Sequence, residues 1–303
     1  MNLLLPLMRR EWLQHRFGWL MLALVPLALA LVALSFGQVE IGDDEKMPLE
    51  VLPLLLAFAS IAGSTVVIFL TLWVTSLIIV SGLPRRDHGD RSIEFWLSLP
   101  ISHSHSLAVP LLVHLILVPA VALLIGLLGG YVLSLVLVTR VVGIGAWFAL
   151  PWADMLPATV AVLFRLMAGL PLATLWFAPL ITLVMLSTAL FRRWGIPILA
   201  VGLGLGSLVL ERLFGQPLLV NAIGRMAENG GRALVSADGK GFAIESGSDA
   251  ASALTQLPGW ALRDLGVAVA DLASPWLLGG LLFAFACFAA LVMWRQRGAS
   301  ASA

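Results

Sequence analysis

Two long apolar stretches, residues 51–82 and 107–139, decide what this chain can fold into. Crossing the ~30 Å hydrocarbon layer of a bilayer takes about 20 residues of α-helix, and both stretches exceed that length. Inside the layer no water is available to satisfy backbone N–H and C=O groups, so a spanning segment must be a helix or part of a closed barrel. Barrel strands read as short segments of alternating hydrophobicity; these runs are continuous, and the spans are therefore helical. Composition agrees, since 60% of the 303 residues are hydrophobic, against roughly 45–50% in soluble domains. The mean hydropathy is +1.00. The fold class expected is all-α, a polytopic membrane protein forming a single transmembrane domain over 1–303.

Six spans are expected, at about 17–36, 51–82, 107–139, 167–191, 195–213 and 275–294. Ahead of the first, residues 1–16 put Leu4, Leu7, Met8 and Trp12 roughly on one helical face with Arg9, Arg10 and Arg16 interspersed, the pattern of a helix at a membrane surface. The basic start, apolar run and Ala33-x-Ser35 also fit a signal peptide, but the long amphipathic lead and span-length run favour an uncleaved anchor. "FRRWG" at 191–195 is a tight basic turn that makes the fourth and fifth spans a hairpin. Between the third and fourth spans, residues 141–165 are apolar but carry Asp154, Arg165 and two prolines, which suits a re-entrant or interfacial segment. The lone Cys287 excludes an internal disulfide and reads as a small buried apolar residue.

Charge sets the orientation, because short cytoplasmic loops are rich in Lys and Arg. On the side of the termini stand ten arginines (9, 10, 16, 85, 86, 91, 192, 193, 295 and 297) against Glu11, Asp87, Asp90 and Glu94. The other side holds the remaining eight basic and thirteen acidic residues. Both termini are expected in the cytoplasm, with the chain in a bacterial inner membrane. The segment 214–274 is then extracytoplasmic, with a hairpin signal at Asp238-Gly239 and an interfacial helix showing Trp260, Leu265, Val269 and Leu272 on one side.

The same sidedness puts "RRDHGDRSIEFWLSLP", residues 85–100, in the cytoplasm. Asp90 is placed to cap a short helix with Glu94 in its first turn; Ile93, Trp96 and Leu97 follow at amphipathic spacing, and Pro100 ends it. The reading from pattern alone is either a membrane-surface helix or a docking helix for a soluble partner.

That segment, continued as "ISHSHSL", resembles the signature between the second and third spans of ABC-2 type permeases, the membrane subunits of ATP-binding-cassette transporters. The matching residues are Arg86, Gly89, Glu94, Leu97, Ser98, Leu99, Pro100, Ile101 and Ser102. "RREWLQHRFGWLMLALVPL" resembles the connecting helix of that family running into its first span, with Arg9, Arg10 and Trp12 in it. One departure stands at the start of the third span, where many relatives carry Lys and this chain has His114 as its nearest polar residue. The resemblance implies a permease whose coupling helix at 85–100 meets a cytoplasmic ATPase through Asp90, Arg91, Ile93, Glu94, Phe95, Trp96 and Leu97. The partners implied are two copies of that ATPase, a second permease copy or paralogue, membrane lipid and an extracytoplasmic accessory protein, with no nucleic acid. ATP and Mg belong to the ATPase, so this chain is expected to hold no cofactor and not to be an enzyme, and it has no G-x-x-x-x-G-K-[ST]. An apolar path fits export of an amphipathic or hydrophobic cargo.

The rival classes are a solitary intramembrane enzyme and an ATPase-independent transporter, both of which want ionisable groups at membrane depth. Arg165, Glu211 and Asp271 all read as lying near span ends. His88, His103, His105 and His114 read as a polar start to the third span rather than as metal ligands, and no metal site is expected. Serine and threonine in the spans read as hydrogen-bonding glue, and Gly126-x-x-x-Gly130 and Gly202-x-x-x-Gly206 as points of close helix approach.

Overall fold

The computed structural model describes residues 4–37, 51–89, 103–236 and 247–300, and every regular element in them is helical. In chain order these are α1 (Leu4–Phe36), α2 (Leu52–Gly89), α3 (His103–Leu112), a π turn (Val113–Leu117) and α4 (Val118–Val141). There follow α5 (Ile144–Phe148), α6 (Trp152–Phe191), a 3-10 turn (Arg192–Trp194), α7 (Gly195–Phe214), α8 (Leu218–Leu234), α9 (Gly247–Ala270), a second 3-10 turn (Asp271–Ala273) and α10 (Pro275–Ser300). Residues 90–102, with most of the expected coupling helix, and the 238–239 hairpin signal lie outside the described residues. The opening of that segment, Arg85 to Gly89, continues α2.

Among the described residues, five stretches are long and apolar enough to cross a membrane: Leu5–Phe36, Leu52–Arg86, Ser104–Val141, Trp152–Phe214 and Pro275–Gln296. The fourth contains both α6 and α7. Large apolar side chains point outward along them, among them Phe17, Met21, Leu205, Leu282 and Phe285. A soluble monomer rarely exposes apolar surface on that scale, and the architecture is that of a multi-pass membrane protein.

The centre of the bundle is an antiparallel pair, α2 against the continuous rod of α3, π turn and α4. A Cβ on Gly126 would lie 2.7 Å from the Thr65 Cα, and one on Gly130 2.6 Å from the Ile61 Cα. The two glycines, one turn apart, therefore let the backbones touch, and Ser64 Oγ donates to the Gly126 carbonyl at 2.8 Å across the contact. The first Gly-x-x-x-Gly is thus spent inside the chain. At the second, Gly202 meets nothing within 4 Å and Gly206 only the Leu219 side chain at 3.8 Å.

Two apolar clusters mark the two ends of this pair. The near end, where α2 finishes and α3 begins, gathers Val80, Leu83, Leu107, Met185, Ala189 and Leu291 from α2, α3, α6 and α10. The far end gathers Val51, Leu54, Val138, Met155, Ala158 and Leu254 from around the start of α2, α4, α6 and α9. Helix α6 turns back into α7 at the near end: Arg192 takes φ 58°, and a Cβ on Gly195 would lie 2.6 Å from the Thr188 Cα, close contact that a straight helix never allows seven residues apart. Ser187 Oγ closes the turn by donating to the Gly195 carbonyl at 2.6 Å.

The helix bounds refine two sequence expectations and correct a third. The amphipathic lead runs into the first span without a break: α1 is continuous from Leu4 to Phe36, with Pro26 inside it. Residues 152–165 do not form a separate segment but are the first part of α6, a helix of 40 residues and about 60 Å. Pro151 caps its start and Pro157 lies inside without ending it, while only 144–148 form a short helix of their own. Finally, Arg165 is not at a segment end: it lies within α6 and is fully buried. Cys287 is buried, as expected.

Candidate functional site

At the near end the inward face of α1 is a strict i, i+4 row: Leu7, Glu11, His15, Trp19 and Ala23. Leu7, Trp19 and Ala23 are buried apolar residues, and Glu11, with 1% of its surface exposed, is buried among them. An isolated carboxylate there would be prohibitively costly, so it must be paired. Arg86, in the last turns of α2, supplies the partner as a two-pronged fork, Nη1 to Oε2 at 2.8 Å and Nη2 to Oε1 at 2.6 Å. Such bidentate, charge-assisted pairs fix orientation as well as adding energy.

The third member comes from the π turn. Val118 N–H reaches back five residues to the Val113 carbonyl, and Val113, His114 and Leu115 are all buried in that wide turn. Pro110 and Pro119 flank it, each lacking the N–H that a regular helix would use. π turns of this kind recur at functional sites. The turn sets His114, which has no exposed surface, with its Nε2 at 3.3 Å from Glu11 Oε2.

His15 and Trp19 complete the cluster. Their rings and that of His114 form a triangle, with centroids 5.5 Å apart for His15–Trp19, 5.3 Å for His15–His114 and 5.4 Å for Trp19–His114. Three buried nitrogens of these rings, His15 Nε2, His114 Nδ1 and Trp19 Nε1, have no hydrogen-bond partner. Buried polar atoms are nearly always satisfied, so three such atoms on three mutually facing rings single this place out. Beside it, Trp19 lines an apolar groove of about 530 Å³ between α1 and the α2–α4 pair, together with Met8, Arg9, Trp12, Leu72 and Val118.

The adjacent arginine reaches a different pair of helices. Arg85 donates from Nε and Nη2 to the Ala189 carbonyl of α6 at 2.9 and 2.7 Å, and its guanidinium lies 5.6 Å from the Trp294 ring centroid of α10. The last turns of α2 are thus fastened through Arg86 to α1 and through Arg85 to α6 and α10.

A second buried ion pair lies on α6. Arg165 Nε donates to Asp264 Oδ2 at 2.7 Å, Nη1 to the Ala233 carbonyl at 2.7 Å and Nη2 to the Arg232 carbonyl at 3.2 Å. The Ser236 hydroxyl donates to Asp264 Oδ1, and the Ser236 N–H to Oδ2 at 3.3 Å. Gly169, one turn on, leaves room for the fork, since a Cβ there would lie 2.8 Å from Arg165 Nη1. This pair clamps the end of α8 and the side of α9 onto α6.

Of the residues singled out from sequence, Arg9 and Trp12 are exposed on α1 and line the groove, Arg10 is half-buried, and Trp12 stacks obliquely 6.0 Å from Trp19. Asp90, Arg91, Ile93, Glu94, Phe95, Trp96 and Leu97 lie outside the described residues. No metal site was expected from the sequence, and the structure brings together side chains able to ligate one. Among the described residues Glu11, His15 and His114 bring ligand atoms within 4.8 Å of one another, and His105 of the "HSH" run is not among them. Sequence reading missed this because it scanned neighbouring histidines; the usable signal was the i+4 spacing of Glu11 and His15 in line with Leu7 and Trp19.

No protein-family model, curated protein or solved structure matches this chain.

Proposed function

We propose that the chain is the membrane-spanning permease subunit of an ATP-binding-cassette transporter of the ABC-2 type, driven by a separate cytoplasmic ATPase. The observation that carries this reading is the Glu11–Arg86–His114 cluster. It binds α1 to both helices that flank residues 90–102, because Arg86 stands at the root of that segment and His114 one turn past α3 behind it. A soluble motor pressing on the segment needs such a joint, or the push is lost in the loop. Arg85 extends the joint to α6 and α10.

Six crossings with both termini in the cytoplasm fit this reading. The basic residues of α1, α2 and the Arg192–Trp194 turn gather at the near end, the side that the excess of arginine assigns to the cytoplasm. The segment at 90–97 is then the coupling helix, with Trp96 as its largest anchor. The sequence carries no G-x-x-x-x-G-K-[ST] phosphate-binding loop, which supports hydrolysis on a separate partner. A bundle whose groove is lined almost wholly by apolar side chains suits an amphipathic or hydrophobic cargo better than a small ion.

The test is co-purification with the ATPase. Trp96→Ala should weaken association by tenfold or more, since buried aromatic anchors carry ~2 kcal/mol or above. Glu94→Lys separates the two readings of the segment: a headgroup-facing helix tolerates an added positive charge near anionic lipid, and a complementary protein groove does not. Wild-type association in both variants, with membrane insertion verified, refutes the docking assignment.

A further inference from the structure

We propose that His15 and His114 form a binding site for a divalent late first-row transition metal ion, with Glu11 as the carboxylate that orients His114. The proposal is independent of the transporter reading and rests on the three unpartnered nitrogens. Imidazole suits zinc, nickel and copper, and one ion accounts for all three atoms together. His15 Nε2 and His114 Nδ1 are the protein ligands, and a water on the ion accepts from the Trp19 indole N–H, a group able only to donate.

The arrangement behind His114 is the one that metal-binding histidines require. A ligating imidazole nearly always gives its other N–H to a carboxylate or carbonyl, which fixes the tautomer and aims the bare nitrogen at the ion. Here Nε2 faces Glu11 Oε2 at 3.3 Å, and Arg86 holds both oxygens of that carboxylate in place. With the proton on Nε2, the lone pair falls on Nδ1, the atom that has no protein partner. The rings are close: the His15 and His114 centroids lie 5.3 Å apart, and one ligand atom from each of Glu11, His15 and His114 falls within 4.8 Å of the others, so two bonds of about 2.0 Å to one ion ask for side-chain adjustment that brings the two nitrogens to within ~4 Å.

Charge sets the strength. The Arg86–Glu11 pair is neutral as a unit, and two neutral imidazoles offer the ion no compensating anion. Binding is therefore moderate, and it tightens when the guanidinium is removed.

The experiment uses the full chain, purified without a histidine tag, stripped with chelator and titrated with zinc by calorimetry and with cobalt by visible absorption. One zinc per chain and the visible bands of bound cobalt are expected. His15→Gln, at a half-buried position that tolerates change, should lose at least tenfold in affinity. Glu11→Gln should lose 10–100-fold, the usual effect of disturbing the carboxylate behind a ligating histidine. Arg86→Gln should gain affinity, a result that a purely structural cluster does not produce, and His105→Gln should match wild type. Melting in chelator shows which variants are folded, and His15→Gln decides if His114→Gln is not. The proposal is overturned by absence of saturable binding in the wild type, by wild-type affinity in His15→Gln, or by loss of binding on His105→Gln.

Discussion

The molecule buries two arginine–carboxylate pairs, and they are finished to different degrees. Around Arg165 and Asp264 all three guanidinium nitrogens and both carboxylate oxygens have partners, and neither side chain is more than 3% exposed. Around Glu11 and Arg86 the pair itself is bidentate, but the arginine is 14% exposed and the rings beside it keep three unused nitrogens. The first arrangement uses all its hydrogen-bonding capacity to hold α8 and α9 against α6. The second retains capacity, at the place where α1, α2 and the π turn meet. The difference separates a clamp from a site.

If that contrast is right, the largest stability effect belongs to the clamp. Asp264→Ala leaves Arg165 buried without its counter-charge and should destabilise by about 3–5 kcal/mol, read as a large fall in melting temperature and in folded yield. The double variant Arg165→Met with Asp264→Leu should recover most of the loss, because a buried pair can often be replaced by apolar groups of similar volume. Failure of that rescue would mean that the pair does more than hold helices together.

Next in size is the backbone contact between α2 and α4. Gly130→Ala puts a methyl 2.6 Å from the Ile61 Cα and should cost about 1–3 kcal/mol through forced separation of the helices. Gly202→Ala, with nothing within 4 Å, should be neutral or stabilising by up to ~1 kcal/mol through helix propensity. Equal effects in thermal unfolding would show that the two glycine pairs are not used differently.

The smallest stability effect is expected at the near cluster. Glu11→Gln keeps an oxygen acceptor for Arg86, and the partly exposed guanidinium retains access to water, so the loss should be about 1 kcal/mol. The same substitution should nevertheless impair function severely. A loss as large as that of Asp264→Ala would place Glu11 with the clamp and remove the distinction.

Much of the scaffold was readable from sequence because it follows from long-range averages. Apolar runs at 51–82 and 107–139 became α2 and the α3–α4 rod, and "FRRWG" became the turn between α6 and α7. The particulars that distinguish the clamp from the site were not readable in the same way. Glu11 stands among Arg9, Arg10 and Arg16, so in sequence it passes for a solvated charge; only the i+4 row through Leu7 and Trp19 places it inward. Arg165 looked like a flanking charge because its partners, Asp264 and the carbonyls of Arg232 and Ala233, lie far along the chain in helices whose packing no local pattern specifies. The prolines misled in the other direction. Pro157, Pro171 and Pro179 all sit inside α6, where contacts with α2, α8, α9 and α10 outweigh the hydrogen bonds they forfeit.

Under the proposed transporter function, the bonds from Glu11 to Arg86 and His114 would carry movement from a motor acting beyond the end of α2 to the first helix. This coupling is tested most directly by ATP hydrolysis in membrane vesicles containing the chain and its ATPase, wild type against Glu11→Gln. The account predicts that the variant assembles with the ATPase as wild type does, while the permease-dependent part of hydrolysis falls at least tenfold toward the rate of the ATPase alone. Hydrolysis at the wild-type rate in assembled Glu11→Gln complexes, or robust hydrolysis by this chain without a partner, would contradict it.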